Sequence, residues 1–307
     1  MKRIAPLEVT VMYGGNSAER QVSLASGAAV AEALASLGHR VHRLDVNGDH
    51  WRLPPGTEVV FLALHGTYGE DGTVQRQLDD LGVPYTGCGA EASRLAFDKV
   101  LTKERCLQAA VPTPRFTVLH RPQEDWPAGW APPVVLKPAR QGSSVGLEFV
   151  DRDGDFAPAL ARALQHGSEV VLEERIRGRE LTVGVLDGEA LPVVEIRPRG
   201  GAYDFYHKYT KGATDYLVPA PLTTEVTRRV QEVGLAAFRA VGARDYARVD
   251  VMLGAGDQPW VLEINTLPGM TATSLLPQAA AQSGYDFPTL CQKMLELALR
   301  RSKGGTT

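Results

Sequence analysis

Apolar and polar residues alternate along the strands of this chain and recur every three or four positions along its helices. Leu7, Val9 and Val11 alternate ahead of Gly14-Gly15, which predicts a first strand. Val22, Ala25, Ala29, Ala33 and Leu37 then fall at helical spacing, with Gly38 as a stop. Val41 to Val46 reads as a second strand. The unbroken apolar run Val59 to Leu64 fits a strand buried on both faces of a parallel sheet. It empties into His65-Gly66-Thr67-Tyr68-Gly69-Glu70-Asp71-Gly72, at a strand's carboxyl end, where open α/β sheets place ligands. Strands and helices alternating to Phe97 predict a first α/β unit, residues 1–97.

Beyond Phe97 the pattern changes. Asp98 to Ala110 reads as a helix, closed off by Val111-Pro112-Thr113-Pro114. A proline- and tryptophan-rich connection, Glu124 to Pro133, leads to the apolar run Val134 to Lys137. A glycine-serine loop, a strand, a helix from Asp155 to Gln165 and a strand ending near Glu173 complete a small α+β unit, residues 98–180. Leu181 to Leu186 and Ala190 to Ile196 form a hairpin, because Asp187-Gly188 suits a tight primed turn. Arg199 to Asp215 is polar and without period, a length that marks a functional lid. Val226, Val230, Val233, Ala237 and Val241 line one face of a helix. Asp286 to Leu299 ends the fold, and Ser302 to Thr307 reads as a loose tail, so the last unit spans residues 181–307.

Two alternating runs flank Gly254 to Gln258 within this last unit and predict an antiparallel hairpin. A turn centred on Gly256-Asp257 pairs Asp250 with Glu263 and Arg248 with Asn265, projecting all four from one face. Val249, Val251, Leu262 and Ile264 project from the other and pack. Two carboxylates and an amide oxygen are hard ligands suited to magnesium. The same residues also fit a solvated sheet face with a chance salt bridge.

Composition narrows the class. With 307 residues, 44% of them apolar, the chain has material for two or three compact units. A net charge of −3 gives no reason to expect nucleic acid or an anionic membrane as partner. Cys88, Cys106 and Cys291 fit neither a zinc spacing nor a disulfide framework. No apolar run reaches membrane-spanning length and no signal peptide opens the chain, so a cytoplasmic location is expected.

Gly142-Ser143-Ser144-Val145-Gly146 offers backbone N–H groups and hydroxyls that can close over phosphates. Lys137, ending an apolar strand, is costly there unless its charge meets an anion, and Lys99 can supply a second cation. A Walker loop is absent, and Gly14 to Glu19 lacks the third glycine of the dinucleotide fingerprint. Glu173, Glu174 and Glu180 bracket Ile176 and Gly178, as a ribose or adenine contact or as a solvated acidic turn. Read singly, Glu19 is a first-turn helix acid, Ser143 a turn serine, Tyr209 a loop aromatic and Arg248 a strand-edge cation.

Taken together and in order, these stretches resemble the ATP-grasp superfamily, and within it the D-alanine–D-alanine ligase family. The resemblance covers essentially the whole chain. It rests on Gly14-Gly15-Asn16-Ser17-Ala18-Glu19-Arg20, Leu64-His65-Gly66 with Gly69-Glu70-Asp71-Gly72, and Pro84-Tyr85-Thr86-Gly87. It continues through Asp98-Lys99, Lys137-Pro138, the 142–146 loop, Lys208-Tyr209, Arg248-Val249-Asp250 and Glu263-Ile264-Asn265-Thr266-Leu267-Pro268-Gly269-Met270.

The resemblance implies a mixed α/β and α+β fold, with an N-terminal Rossmann-like parallel-sheet domain and two antiparallel-sheet units enclosing ATP. It implies ligation of two D-alanines, with ATP as co-substrate, through an acyl phosphate, for peptidoglycan precursors. Lys99, Lys137 and Ser144 match phosphate contacts, Glu180 a ribose contact, and Glu173 with the Glu174 and Ile176 backbone the adenine edge. Asp250, Glu263 and Asn265 match ligands of two Mg²⁺ ions, which Mn²⁺ can replace; a monovalent cation also occurs in the family. Glu19, Ser143 and Tyr209 match a hydrogen-bonded trio at the first D-alanine, near His65. Lys208 matches a charge neutraliser, Arg248 and the Gly269 N–H the oxyanion donors, and Ser274 with Leu275 the second D-alanine's pocket. Ala202 stands where some relatives carry an aromatic and Glu174 where others carry lysine, while Lys208-Tyr209 looks like the D-alanine-adding members. Relatives are commonly dimers, so the resemblance implies a homodimer. D-Serine or D-lactate as acceptor, and a non-catalytic ATP-binding regulator, are the competing expectations.

Overall fold

The computed structural model describes residues 5–200, 203, 205–210 and 212–304, with backbone alone for Phe205, Tyr209 and residues 302–304. The first segment runs β1 (Glu8–Gly14), α1 (Arg20–Ser36), β2 (Arg40–Val46), β3 (Val59–Leu62), α2 (Thr73–Leu81) and α3 (Ala90–Phe97). Its strands form a parallel sheet in the order β2-β1-β3. All four residues of β3 are buried, as its unbroken apolar run requires. Val59 and Phe61 meet Val30 and Leu34 of α1, while Val60 and Leu62 meet Val74 and Leu78 of α2.

The second segment comprises α4 (Lys99–Gln108), β4 (Phe116–Leu119), β5 (Val134–Pro138), β6 (Glu148–Val150), α5 (Phe156–Ala163) and β7 (Val170–Glu174). Asp98 starts α4 by accepting the N–H groups of Val100 and Leu101, as an N-cap aspartate does. The strands form an antiparallel sheet, β4-β7-β5-β6. Alternation along β5 sends Val134 and Leu136 into a core with Phe156 and Leu160, and turns Val135 and Lys137 to the other face.

The third segment holds β8 (Arg179–Leu186), β9 (Glu189–Ala190), β10 (Val194–Pro198), α6 (Phe205–Tyr209), β11 (Thr214–Leu217) and α7 (Thr224–Ala240). It closes with β12 (Tyr246–Leu253), β13 (Pro259–Asn265), α8 (Leu275–Gln282) and α9 (Phe287–Gly304). Strands β11-β10-β8-β12-β13 make an antiparallel sheet, with β9 also on β8. Asp187 and Gly188 both take positive φ, 53° and 80°, the primed turn expected of Asp-Gly. Helix α7 lays Val226, Val230 and Ala237 against Val183, Val249 and Ile264. Helix α9 returns to the first sheet, where Met294 and Leu295 share a core with Val30 and Phe61.

Two expectations change. Residues 199–215 are not wholly irregular: α6 lies within them, and Asp215 belongs to β11, opposite Arg197. The sheet edge there offers backbone partners that no side-chain period announces. Residues 302–304 continue α9 instead of starting a loose tail. Among the described residues no helix is long and apolar enough to cross a membrane.

Candidate active site between the two antiparallel sheets

Strands β12 and β13 pair in the expected register, Arg248 opposite Asn265 and Asp250 opposite Glu263. A bulge follows, because Val251 pairs with Val261 and leaves Leu262 extra. The expected packing of Leu262 with Val249 is therefore corrected. Val261 takes the core place, and Leu262 turns into a cavity beside Glu263, since one inserted residue reverses the alternation.

Arg248 donates to both oxygens of Asp250, at 2.9 and 3.0 Å, and Thr182 Oγ donates to Asp250 at 2.6 Å. Burial works against the Arg248 charge, but the Asp250 carboxylate outweighs it and raises the guanidinium's pKa. Glu263 is partly buried, and desolvation favours its neutral form. Lys99, Lys208, Lys137 and Arg248 together reverse that and pull its pKa down to about 2. Lys99 Nζ lies 3.5 Å from Glu263 and donates to the Gln141 carbonyl at 2.7 Å.

Among the described residues no donor hydrogen-bonds to the buried Asn265 Oδ1. An orphaned hard oxygen beside two carboxylates fits a hard cation. Among the described residues no three His, Cys, Asp or Glu converge as a metal site. Two carboxylates and one amide oxygen are hard donors that leave room for phosphate or water ligands on such an ion.

Two cavities flank this hairpin. The larger, about 630 Å³, lies between the antiparallel sheets and is lined by Lys137, Ser144, Glu173, Glu180 and Asp250, with Glu174 and Ile176 at one end. The smaller, about 350 Å³, is lined by Glu19, His65, Ser143, Arg248 and Asn265, with Gly269, Ser274 and Leu275 closing it. Lys99, Gln141, Lys208 and Glu263 line both, so the cavities meet at a cluster of charge.

The loop between β5 and β6 reaches back to the parallel-sheet segment. Ser143 Oγ donates to the Glu19 carboxylate, and a Cβ on Gly142 would collide with that same carboxylate. Ser143 and Ser144 sit in the left-handed region at φ 51° and 60°, strained backbone of the kind that gathers at functional sites. Ser144 Oγ contacts the Tyr203 carbonyl at 3.4 Å, and Lys208 Nζ lies 5.2 Å from the Tyr203 ring centre. The Tyr209 side chain and Ala202 lie outside the described residues.

His65 is placed by two bonds. Its Nδ1 lies 2.8 Å from the Leu267 carbonyl and must donate, leaving Nε2 to accept from Ser26 Oγ at 3.1 Å. Ser26 Oγ in turn accepts the Met270 N–H at 3.1 Å. Burial lowers the His65 pKa, consistent with a neutral ring that ties the 267–270 turn to α1.

On the nucleotide side Glu173 is buried, with its carboxylate between Lys137 and Lys103. Burial favours its neutral form, yet the two lysines hold its pKa below the ordinary value. Among the described residues Glu180 has no such ion pair, and burial pushes its pKa up to about 7. Sequence reasoning did not single out Lys103, Thr182 or Ser26, and gave Glu70 no role. Lys103 carries a legible signal, a lysine between the buried Thr102 and Cys106 on α4. Glu70 is buried, accepts the Gly66 N–H at 2.9 Å, and is held well above the ordinary carboxylate pKa by burial and by Glu19.

Two antiparallel sheets around a lysine-lined cavity, joined to a parallel-sheet unit, define an ATP-grasp enzyme. Family models described as D-ala D-ala ligase C-terminus and N-terminus match residues 118–296 and 49–88. A D-alanine–D-alanine ligase of Methylacidiphilum infernorum is 46% identical over 303 residues, covering 99% of each chain. One from Syntrophotalea carbinolica is 44% identical over 292 residues, covering 94% of this chain and 95% of that one. Crystal structures of D-alanine–D-alanine ligase from Bacillus anthracis superpose with TM-scores of 0.84, for the complex with ATP, and 0.86. They are 32% and 34% identical, and each comparison covers 97% of this chain and 99% of the other. The chain belongs to the D-alanine–D-alanine ligase family.

Proposed function

We propose that this enzyme joins two D-alanine molecules into D-alanyl-D-alanine, converting ATP to ADP and phosphate, as a step toward peptidoglycan precursors. The observation that carries the proposal is the meeting of a nucleotide-sized cavity and a smaller polar cavity at Lys99, Lys208 and Glu263. In this reading the base lies near Glu173, Glu174 and Ile176, the ribose at Glu180, and the phosphates run past Lys137, Ser144 and Lys99.

The first D-alanine sits by Glu19, Ser143 and His65. Its carboxylate oxygen attacks the γ-phosphorus, the bond to ADP breaks, and an acyl phosphate forms. Two anions meet in that step, so the three lysines and the 142–146 N–H groups offset the charge. Mg²⁺ or Mn²⁺ held by Asp250, Glu263 and Asn265, as two ions in the family pattern, would supply further positive charge at the phosphates.

The second D-alanine's amine, beside Ser274 and Leu275, then attacks the carbonyl carbon. Arg248 and the Gly269 N–H face the tetrahedral oxyanion, which collapses with loss of phosphate. The amine's proton has three candidate acceptors, the Glu19–Ser143 pair, water and the leaving phosphate. Residues 199–215 act as the lid that keeps water from the acyl phosphate. The same reading divides the chain at residues 97/98 and 180/181, places it in the cytoplasm and pairs it as a homodimer.

Phosphate release from ATP with D-alanine, D-serine or D-lactate offered as second substrate tests the acceptor. The proposal expects D-alanine alone to support full turnover. Turnover that needs a different acceptor overturns it.

A further inference from the structure

Two lysines share one carboxylate at the wall of the larger cavity, and only one of them lines it. Lys137 pairs with Glu173 and also lines the cavity, so its Nζ is available to a nucleotide. Lys103 is 1% exposed, against 14% for Lys137. Three protein oxygens surround its Nζ: Glu173 at 2.8 Å, Thr113 Oγ at 2.9 Å and the Pro114 carbonyl at 3.3 Å. Thr113 and Pro114 accept hydrogen bonds from the ammonium, and Glu173 is its ion-pair partner, so its contacts lie inside the chain. The Phe116 ring, 5.3 Å away, seals one side. Thr113 Oγ donates onward to the Val261 carbonyl at 2.9 Å, tying the group to the bulged strand β13.

A buried lysine beside a second lysine is costly unless a fixed negative charge repeatedly needs it. Glu173 has that need when a nucleotide binds, because phosphate oxygens compete for Lys137. A buried carboxylate that loses its only counter-charge takes up a proton. It then becomes a donor as well as an acceptor, and can no longer tell an amine from a carbonyl on a base edge.

We infer that Lys103 is a positioning residue for base selection: it stays on Glu173 while Lys137 turns to the nucleotide, so that Glu173 remains an acceptor that admits a purine with an exocyclic amine and refuses one with a carbonyl there. The inference rests on the proposed placement of the base beside Glu173. It adds a sealed residue, touching no substrate, that sets which nucleoside triphosphate the enzyme uses.

The test is the ratio of kcat/KM for ATP to that for inosine triphosphate, read by phosphate release with D-alanine saturating. This ratio does not depend on the fraction of enzyme that is folded, so a destabilised variant still reports. Wild type should prefer ATP by about 100-fold or more, as sites built around a hydrogen bond do. Lys103→Met, with Lys103→Gln as second variant, should lower the ratio at least about tenfold, and Lys103→Arg should hold it within about threefold. An unchanged ratio in both Met and Gln variants overturns the inference, as does an equal fall in the Arg variant. Glu173→Gln separates the two levels, because a side-chain amide presents both donor and acceptor. If that change leaves the ratio intact, the base does not rest on Glu173 and the underlying placement fails. If it abolishes the preference while the Lys103 variants keep it, only the role of Lys103 fails.

Discussion

Arg248 grips Asp250 through two nearly equal hydrogen bonds, 2.9 Å from Nε and 3.0 Å from Nη2, across two positions of one strand. The group assigned to the oxyanion and a group assigned to the metal therefore hold each other on a single face of β12. Removing the guanidinium takes away a donor needed late in the reaction, while Thr182 still anchors Asp250. Arg248→Ala is expected to lower kcat about 10²–10³-fold and to change the KM for ATP less than about threefold. Steady-state kinetics check this, and a raised KM with kcat intact contradicts the assignment.

Glu263 lines both cavities, and four surrounding cations keep its pKa near 2. Glu263→Gln keeps the shape and removes the charge. Magnesium-dependent turnover should fall about 10²-fold, with more Mg²⁺ required for half-maximal rate. Magnesium titration of the rate decides it, since an unaltered curve removes Glu263 from the metal site.

Glu180 gives a prediction with a sign. Its folded pKa of about 7 lies above an ordinary carboxylate's, so the nucleotide-free fold holds a proton that the unfolded chain has lost. Its contribution is thus most favourable below about pH 4 and declines as pH rises toward 7. Glu180→Gln removes that decline. Relative to wild type, the variant should gain on the order of 3 kcal/mol in stability between pH 4 and pH 8. Thermal unfolding across that range would show parallel curves if the burial of Glu180 had no such consequence.

Gly142 admits the Glu19 carboxylate where a methyl group would stand. Gly142→Ala should push Glu19 off Ser143 and raise the KM for D-alanine about tenfold or more, leaving ATP affinity nearly unchanged. Measured affinities that shift for ATP instead would place this loop glycine on the other substrate.

Much of this was legible because alternation is a local property. The register of Asp250 with Glu263 follows from counting outward from a turn, and β5 likewise announces which way Lys137 points. Leu262 escaped the count because the bulge depends on the neighbouring strand and leaves no mark in the residue types. Strand β11 escaped because edge pairing is a backbone matter. The hydrogen bond from His65 to the Leu267 carbonyl joins residues 202 positions apart, which no motif spacing encodes. Lys103 could have been found, since a lysine on the buried face of α4 demands a partner, but only the fold names Glu173 as that partner.

Isotope transfer tests the central claim most directly. D-Alanine carrying ¹⁸O in its carboxylate, incubated with the enzyme, ATP and Mg²⁺, should yield D-alanyl-D-alanine, ADP and phosphate bearing one ¹⁸O, all read by mass spectrometry. Label reaches phosphate only if the carboxylate attacked phosphorus before the peptide bond formed. Dipeptide accompanied by unlabelled phosphate, or ADP without dipeptide, would contradict an acyl phosphate formed where the two cavities meet.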